Sequence, residues 1–145
     1  MNYRTTDLMN ELSNASNGDS FKNYINEHKD MTSFTNLGDF FNDYIRRHPD
    51  LDITDVIKRS NIDRGYAYQI LNGRKSHPGK YKLVILCICL GMKLKDIQRA
   101  LTISDNAILY PKITLDAALI VCINNNYRSA LEVEEFLSEN GLSLI

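Results

Sequence analysis

The chain is 145 residues long, 43% hydrophobic and 24% charged, with a formal net charge of −1. Those values describe a folded domain able to bury a core and exclude a disordered or fibrous chain. The longest apolar run, Leu83 to Leu90, holds eight residues between lysines; it is too short for a membrane span, and the polar N-terminus lacks the apolar centre of a signal peptide, so a cytoplasmic protein is expected.

In chain order, Thr6 to His28 is polar with apolar positions at Leu8, Met9, Leu12, Phe21, Tyr24 and Ile25, broken by a turn at Asn17-Gly18-Asp19. Leu37 to His48 carries Leu37, Phe40, Phe41, Tyr44 and Ile45 at helical spacing, which predicts one buried face. Phe21–Met31 and Phe41–Leu51 echo one another at Phe, Tyr, Ile, His and Asp; two similarly patterned amphipathic helices account for this without duplication. Ser76 to Gly79 is a loop. Lys80 to Leu90 is a central apolar helix stopped by Gly91, and Lys95 to Leu101 is a short helix facing inward through Leu94, Ile97 and Leu101. Pro111 restarts the chain before an apolar helix from Ile113 to Ile123. Ser129 to Glu139 is an acidic helix; LEVEEFL there imitates an alternating strand, but Ser129 and Glu132 form a capping-box pair that argues helix.

The segment Leu51–Lys75 reads as two short helices joined by a tight turn. Ile62 and Ile70 share a face with Tyr66 between them, and this face is expected to dock on Val56 and the central helix. Asn61 suits a left-handed turn residue, Asp63 can cap the second helix, and Gly73 can end it. The segment also concentrates positive charge. From Arg46 to Lys82 there are nine Lys or Arg against four Asp, while the rest of the chain has eight against fourteen acidic residues.

With Leu51, Val56, Ile57, Ile62, Ala67 and Ile70 as apolar anchors and Asn72-Gly73-Arg74-Lys75 as the close, this segment resembles the lambda-repressor-like (XRE-type) helix-turn-helix family. The resemblance implies an all-α fold: a helix-turn-helix domain over residues 35–104, an N-terminal helical extension over 1–34, and a C-terminal helical pair over 105–145 packed on the domain as one unit. The sequence departs from the family at three positions. Ile53 stands where a phosphate-holding Gln is usual, Ile57 where a small residue lets the helices cross closely, and Leu71 where Glu precedes Asn-Gly.

The resemblance implies a small DNA-binding transcriptional regulator of bacterial or phage type, with double-stranded DNA as partner. Arg64, Gly65, Tyr68 and Gln69 map to the outward face of the second helix. Arg64 is chemically suited to guanine and Gln69 to adenine, while Tyr68 suits a phosphate or a thymine methyl. Gly65 is unfavourable in a helix by about 1 kcal/mol, which close approach to a backbone would rationalise. Arg74, Lys75, His77 and Lys80 are placed for phosphates, as are Lys58 and Arg59 on the first helix. The other reading is a protein–protein interaction module that keeps the frame without specific DNA binding, since tyrosine also serves protein interfaces.

No enzyme is expected, because no nucleophile and base can be assembled. No metal or cofactor is expected either. His28, His48 and His77 are scattered, and Cys87 and Cys89, two apart, point about 200° apart on a helix. The cysteines read as buried hydrophobes, and His48 as the end of a helix. Asp116, inside an apolar helix, reads as a cap or salt-bridge partner. The C-terminal helices, which end in LSLI, either hold a homodimer or protein partner or complete a monomer core.

Overall fold

A computed structural model describes residues 34–144; the expectations for Thr6 to His28, for the Phe21–Met31 echo and for Ile145 lie outside them. The described residues are all-helical, with no strand among them: α1 Leu37–Arg47, α2 Ile53–Ser60, α3 Arg64–Leu71, α4 Lys80–Cys89, α5 Leu94–Ile103, α6 Thr114–Asn124 and α7 Ala130–Glu139. None is long and apolar enough to cross a membrane. LEVEEFL is helical, within α7.

The helix ends are set by local chemistry. Side-chain oxygens of Asn36, Asp52, Asp63 and Ser129 accept first-turn backbone N–H groups at the starts of α1, α2, α3 and α7, satisfying donors with no partner inside the helix. At α7 the Glu132 carboxylate accepts from the Arg128 N–H and the Ser129 hydroxyl, one residue earlier along the backbone than a standard capping box. Six helices are followed by a residue with positive φ: Asn61, Gly73, Gly91, Asp105, Asn126 and Gly141. Asn and Asp tolerate this conformation better than other side-chain-bearing residues. Helix α1 ends differently. The His48 ring stacks on Tyr44 with centroids 4.0 Å apart, and His48 Nδ1 lies 2.7 Å from the Tyr44 carbonyl oxygen.

Helix α4 is the centre of the fold. Its turns and C-cap bury every residue from Leu83 to Leu90, because α2 and α5 pack along it. Burial of an aliphatic side chain of this size contributes about 1.5–3 kcal/mol, so this stretch is a large share of the folding drive. Helix α1 lies on α3 and α5, α6 on α5, and α7 on α6 and α2. The Tyr44 hydroxyl donates to the Leu90 carbonyl at 3.2 Å, tying α1 to the end of α4. The start of α1 meets the end of α3 backbone to backbone. A methyl group at Gly38 would stand 2.8 Å from the Asn72 carbonyl oxygen, and one at Gly73, at φ 82°, would stand 3.0 Å from the Gly38 backbone. The described residues from Asn36 onward pack as one compact unit.

Candidate nucleic-acid interface

Helices α2 and α3 are joined through Asn61, Ile62 and Asp63. Asn61 adopts φ 55°, and the Asp63 carboxylate accepts the Tyr66 N–H at 3.0 Å. The Ser60 hydroxyl donates to the Ile57 carbonyl at 2.6 Å and accepts from the Ile62 N–H at 3.2 Å. Ser60 is buried, and this pair of bonds satisfies it while fixing the path of the turn. Ala67 and Ile70 are fully buried and Leu71 nearly so; Ile62 and Tyr66 are half-buried.

The opposite face of α3 is open. Arg64, Gly65, Tyr68 and Gln69 are all exposed. The Arg64 guanidinium lies 5.8 Å from the centre of the Tyr68 ring, a cation–π geometry that steadies a long side chain. An open cleft of about 390 Å³ runs between α2 and α3 and is lined by Thr54, Ile57, Lys58, Asn61, Ile62, Asp63, Arg64 and Tyr68. It brings Lys58 and Arg64 together beside Tyr68. A second cleft of about 560 Å³ lies on the α1 side, where Ile45, Ile53, Tyr68, Leu71 and Asn72 line it. A Cβ at Gly65 would meet only the Asp63 carboxylate, at 3.4 Å. No packing within the unit demands glycine there.

The loop after α3 carries Arg74, Lys75 and His77, all exposed. The Arg74 N–H donates to the Asn72 side-chain oxygen and the Lys75 N–H to the Gln69 carbonyl, both at 2.9 Å. The Lys75 ammonium lies 5.6 Å from the Tyr66 ring centre, and the Lys82 ammonium 4.8 Å from the same ring. Lys82 is exposed and was not among the expected contact residues. The signal for it was present, because Lys80 and Lys82 are two apart at a helix start and must point to different sides.

Two expected contact residues are turned to other work. The Lys80 ammonium donates to the Asp116 carboxylate at 3.0 Å and to the Ile108 carbonyl at 3.1 Å, with its side chain only 17% exposed. Asp116 is fully buried and also accepts the Tyr81 hydroxyl at 3.1 Å and the Tyr110 N–H at 3.0 Å. Burial first, and then the bond to Asp116, push the Tyr81 hydroxyl above its ordinary pKa. A buried carboxylate needs these partners, so Lys80 is held inward and is not available to a phosphate. The Arg59 guanidinium is spent similarly. It pairs with Asp55 at 2.8 Å, and donates to the Cys89 carbonyl at 3.3 Å and to the Arg128 carbonyl. Arg59 therefore fastens α2 to α4 and to the segment before α7. His77 stays at the rim, with Nδ1 3.2 Å from the Ser104 carbonyl oxygen and 3.5 Å from the Asp105 carboxylate.

Charge pairing sorts the basic residues further. Arg46 and Arg47 pair with Asp43 at 2.8 Å each, and their hydrogen bonds, Arg46 first, hold the Asp43 carboxyl below the usual range. Lys58, Arg64, Arg74, Lys75 and Lys82 have no carboxylate partner among the described residues. No group of three His, Cys, Asp or Glu among the described residues is placed to hold a metal. Comparison with family models, with curated proteins and with solved structures finds no match to this chain.

Proposed function

We propose that α2 and α3 form a helix-turn-helix of the lambda-repressor-like kind and that this protein is a DNA-binding regulator, with α3 as the helix presented to the major groove. One observation carries this reading. On α3 and the elements flanking it, Lys58, Arg64, Arg74, Lys75 and Lys82 have no carboxylate partner among the described residues, whereas Arg46, Arg47, Arg59 and Lys80 are each paired with one. Lys93, Lys95, Lys112 and Arg128 are also without one but lie later in the chain, away from the exposed face of α3 in sequence. Unpaired cations beside an exposed helix face supply the phosphate contacts that position a protein on a duplex. Within that frame Arg64 and Gln69 are the base readers, and Tyr68 supports Arg64. Lys58, Arg74, Lys75 and Lys82 hold phosphates, with His77 at the edge. Arg59 and Lys80 act as internal struts. A second copy held through the C-terminal helices would present two such faces to a two-fold site.

The test is selection of bound sites from random duplexes with the full chain, followed by titration at several salt concentrations. A selected site, bound with affinity that falls steeply with salt, is the expected result. Arg64→Ala should relax preference at one or two base pairs, at a cost of about 1–3 kcal/mol. Lys75→Ala and Lys82→Ala should weaken all sequences alike, each flattening the salt slope by about 1. Absence of salt-sensitive binding to any duplex would defeat the reading.

The second reading, a protein-binding module, has its own support in the α1-side cleft. Ile45, Ile53, Tyr68 and Leu71 line it with apolar surface beside the polar Asn36, Asp39, Asn42 and Asn72, and the Ile53 side chain cannot hold a phosphate. Under that reading Ile53→Asp and Tyr68→Ala would release a protein partner, while Lys75→Ala and Lys82→Ala would leave that partner bound.

A further inference from the structure

We propose that Tyr66 is a positioning residue, whose ring gathers the Lys75 and Lys82 ammonium groups into one seat for neighbouring phosphates of a DNA strand. The seat itself stands on the geometry around Tyr66, and the identity of its anion rests on the DNA reading above. Three elements meet at this ring. Helix α3 supplies Tyr66, the loop after it Lys75, and the first turn of α4 Lys82. The Lys75 ammonium lies 5.6 Å from the ring centre and the Lys82 ammonium 4.8 Å; both fall inside the cation–π range of about 6 Å.

Tyr66 is itself held in place. Its N–H donates to the Asp63 carboxylate at 3.0 Å, its neighbour Ala67 is fully buried, and Tyr66 is half-buried. A lysine loses much rotamer freedom when its head is fixed, so a ring anchored in a helix is what makes two such chains adopt one arrangement. Their backbones are set as well. The Lys75 N–H donates to the Gln69 carbonyl at 2.9 Å, and Lys82 is helical.

Charge says what the seat is for. An aromatic face attracts a cation without neutralising it. Arg46, Arg47, Arg59 and Lys80 each meet a carboxylate, whereas Lys75 and Lys82 are exposed and meet none among the described residues. Two like charges drawn to one ring repel each other, and an incoming anion relieves that repulsion at the place where the ring has already set the ammoniums. Lysine is a compact point charge, not a planar fork, so the seat suits phosphate oxygens and carries no base preference. A DNA strand presents a phosphate about every 3.4 Å along the helix axis, which suits a pair of ammoniums held side by side.

The test uses the full chain and NMR spectra of its lysine methylene groups. Ring currents move protons over an aromatic face upfield, so the Lys75 and Lys82 Hε signals should stand apart from those of other exposed lysines. They should stay there in Tyr66→Phe and rejoin the others in Tyr66→Leu, with the circular dichroism spectrum unchanged. A random-sequence duplex and, separately, inorganic pyrophosphate are then titrated in. Duplex affinity should fall about tenfold for Tyr66→Leu, alike for all sequences, and hold for Tyr66→Phe, which keeps the aromatic face. In a chain already carrying Lys75→Ala and Lys82→Ala, Tyr66→Leu should cost nothing more, because the ring acts only through those two ammoniums. A full tenfold loss in that background would overturn the proposal, as would unchanged affinity for Tyr66→Leu or lysine signals that do not stand apart. Signals that respond to pyrophosphate in a chain that binds no duplex would defeat the DNA reading and support the seat as one for a phosphate anion. Signals that respond to neither would overturn the seat.

Discussion

Replacing Asp116 by alanine removes the acceptor for three donors at once: the Lys80 ammonium, the Tyr81 hydroxyl and the Tyr110 N–H. Breaking a buried ion pair by deleting one partner costs about 3–5 kcal/mol, because the remaining charge is left without compensation. Here Lys80 keeps the Ile108 carbonyl and is 17% exposed, so its ammonium reaches some water and the lower end, about 3 kcal/mol, is expected. For a unit of this size that lowers Tm by on the order of 10 °C. Urea unfolding followed by far-UV circular dichroism measures it directly. Lys80→Met combined with Asp116→Leu should restore part of the loss, since it removes the stranded charge while the Tyr81 hydroxyl and the Tyr110 N–H still lack their acceptor. A loss below about 1 kcal/mol for Asp116→Ala, the range of an exposed pair, would refute the reasoning. So would a double variant less stable than the single one.

Gly65→Ala separates folding from binding. The added methyl group meets only the Asp63 carboxylate at 3.4 Å, so stability should rise by up to about 1 kcal/mol, while affinity for a selected duplex should fall about tenfold if the DNA backbone approaches this position; unchanged affinity would remove the reason for glycine. Burial raises the thiol of Cys87 and pushes those of Cys89 and Cys122 up to about 11, which leaves on the order of one thiolate in a thousand at Cys89 and Cys122 near pH 8. Iodoacetamide should therefore leave the native chain unmodified at that pH and label all three cysteines in urea, with native labelling growing as pH climbs towards 11; prompt native labelling near pH 8 would contradict the packing around α4 and α6.

What was legible in the sequence is what short-range chemistry decides. Asn61, Asp63 and Gly73 act within four residues of themselves, so the turn, the cap and the stop around α3 could be read directly, as could Arg64, Gly65, Tyr68 and Gln69 on its outer side. Asp105 and Asn126 end their helices by the same left-handed device but lack the Asn-Gly context that marks such a stop. The fates of Arg59 and Lys80 were not legible. Lys58 and Arg59 are neighbours, and Lys80 and Lys82 differ only by position, yet one of each pair is drawn inward by a group 69 or 36 residues away. No local pattern reports such a partner. One indirect clue existed: a carboxylate inside the apolar run ITLDAALIV demands a cation, and a search for one among the basic helix starts would have reached Lys80.

The struts from Arg59 and Lys80 also bear on how this protein can change over evolutionary time. Ser104 looks like a seam, but the chain is stitched across it. The Asn106 side chain donates to the Pro78 carbonyl at 2.9 Å, Gln98 exchanges two hydrogen bonds with the Leu109 backbone, and Lys80 and Arg59 find partners at Asp116 and at the Arg128 carbonyl. A recombination that exchanged everything after Ser104 for a foreign tail would leave the Lys80 ammonium without its carboxylate and the Arg59 guanidinium, still held by Asp55 and the Cys89 carbonyl, short of one acceptor, unless the new tail supplied a carboxylate and a carbonyl at the same two points. The two halves are therefore bound to be inherited together, and a transplant of the basic half should carry the last two helices with it.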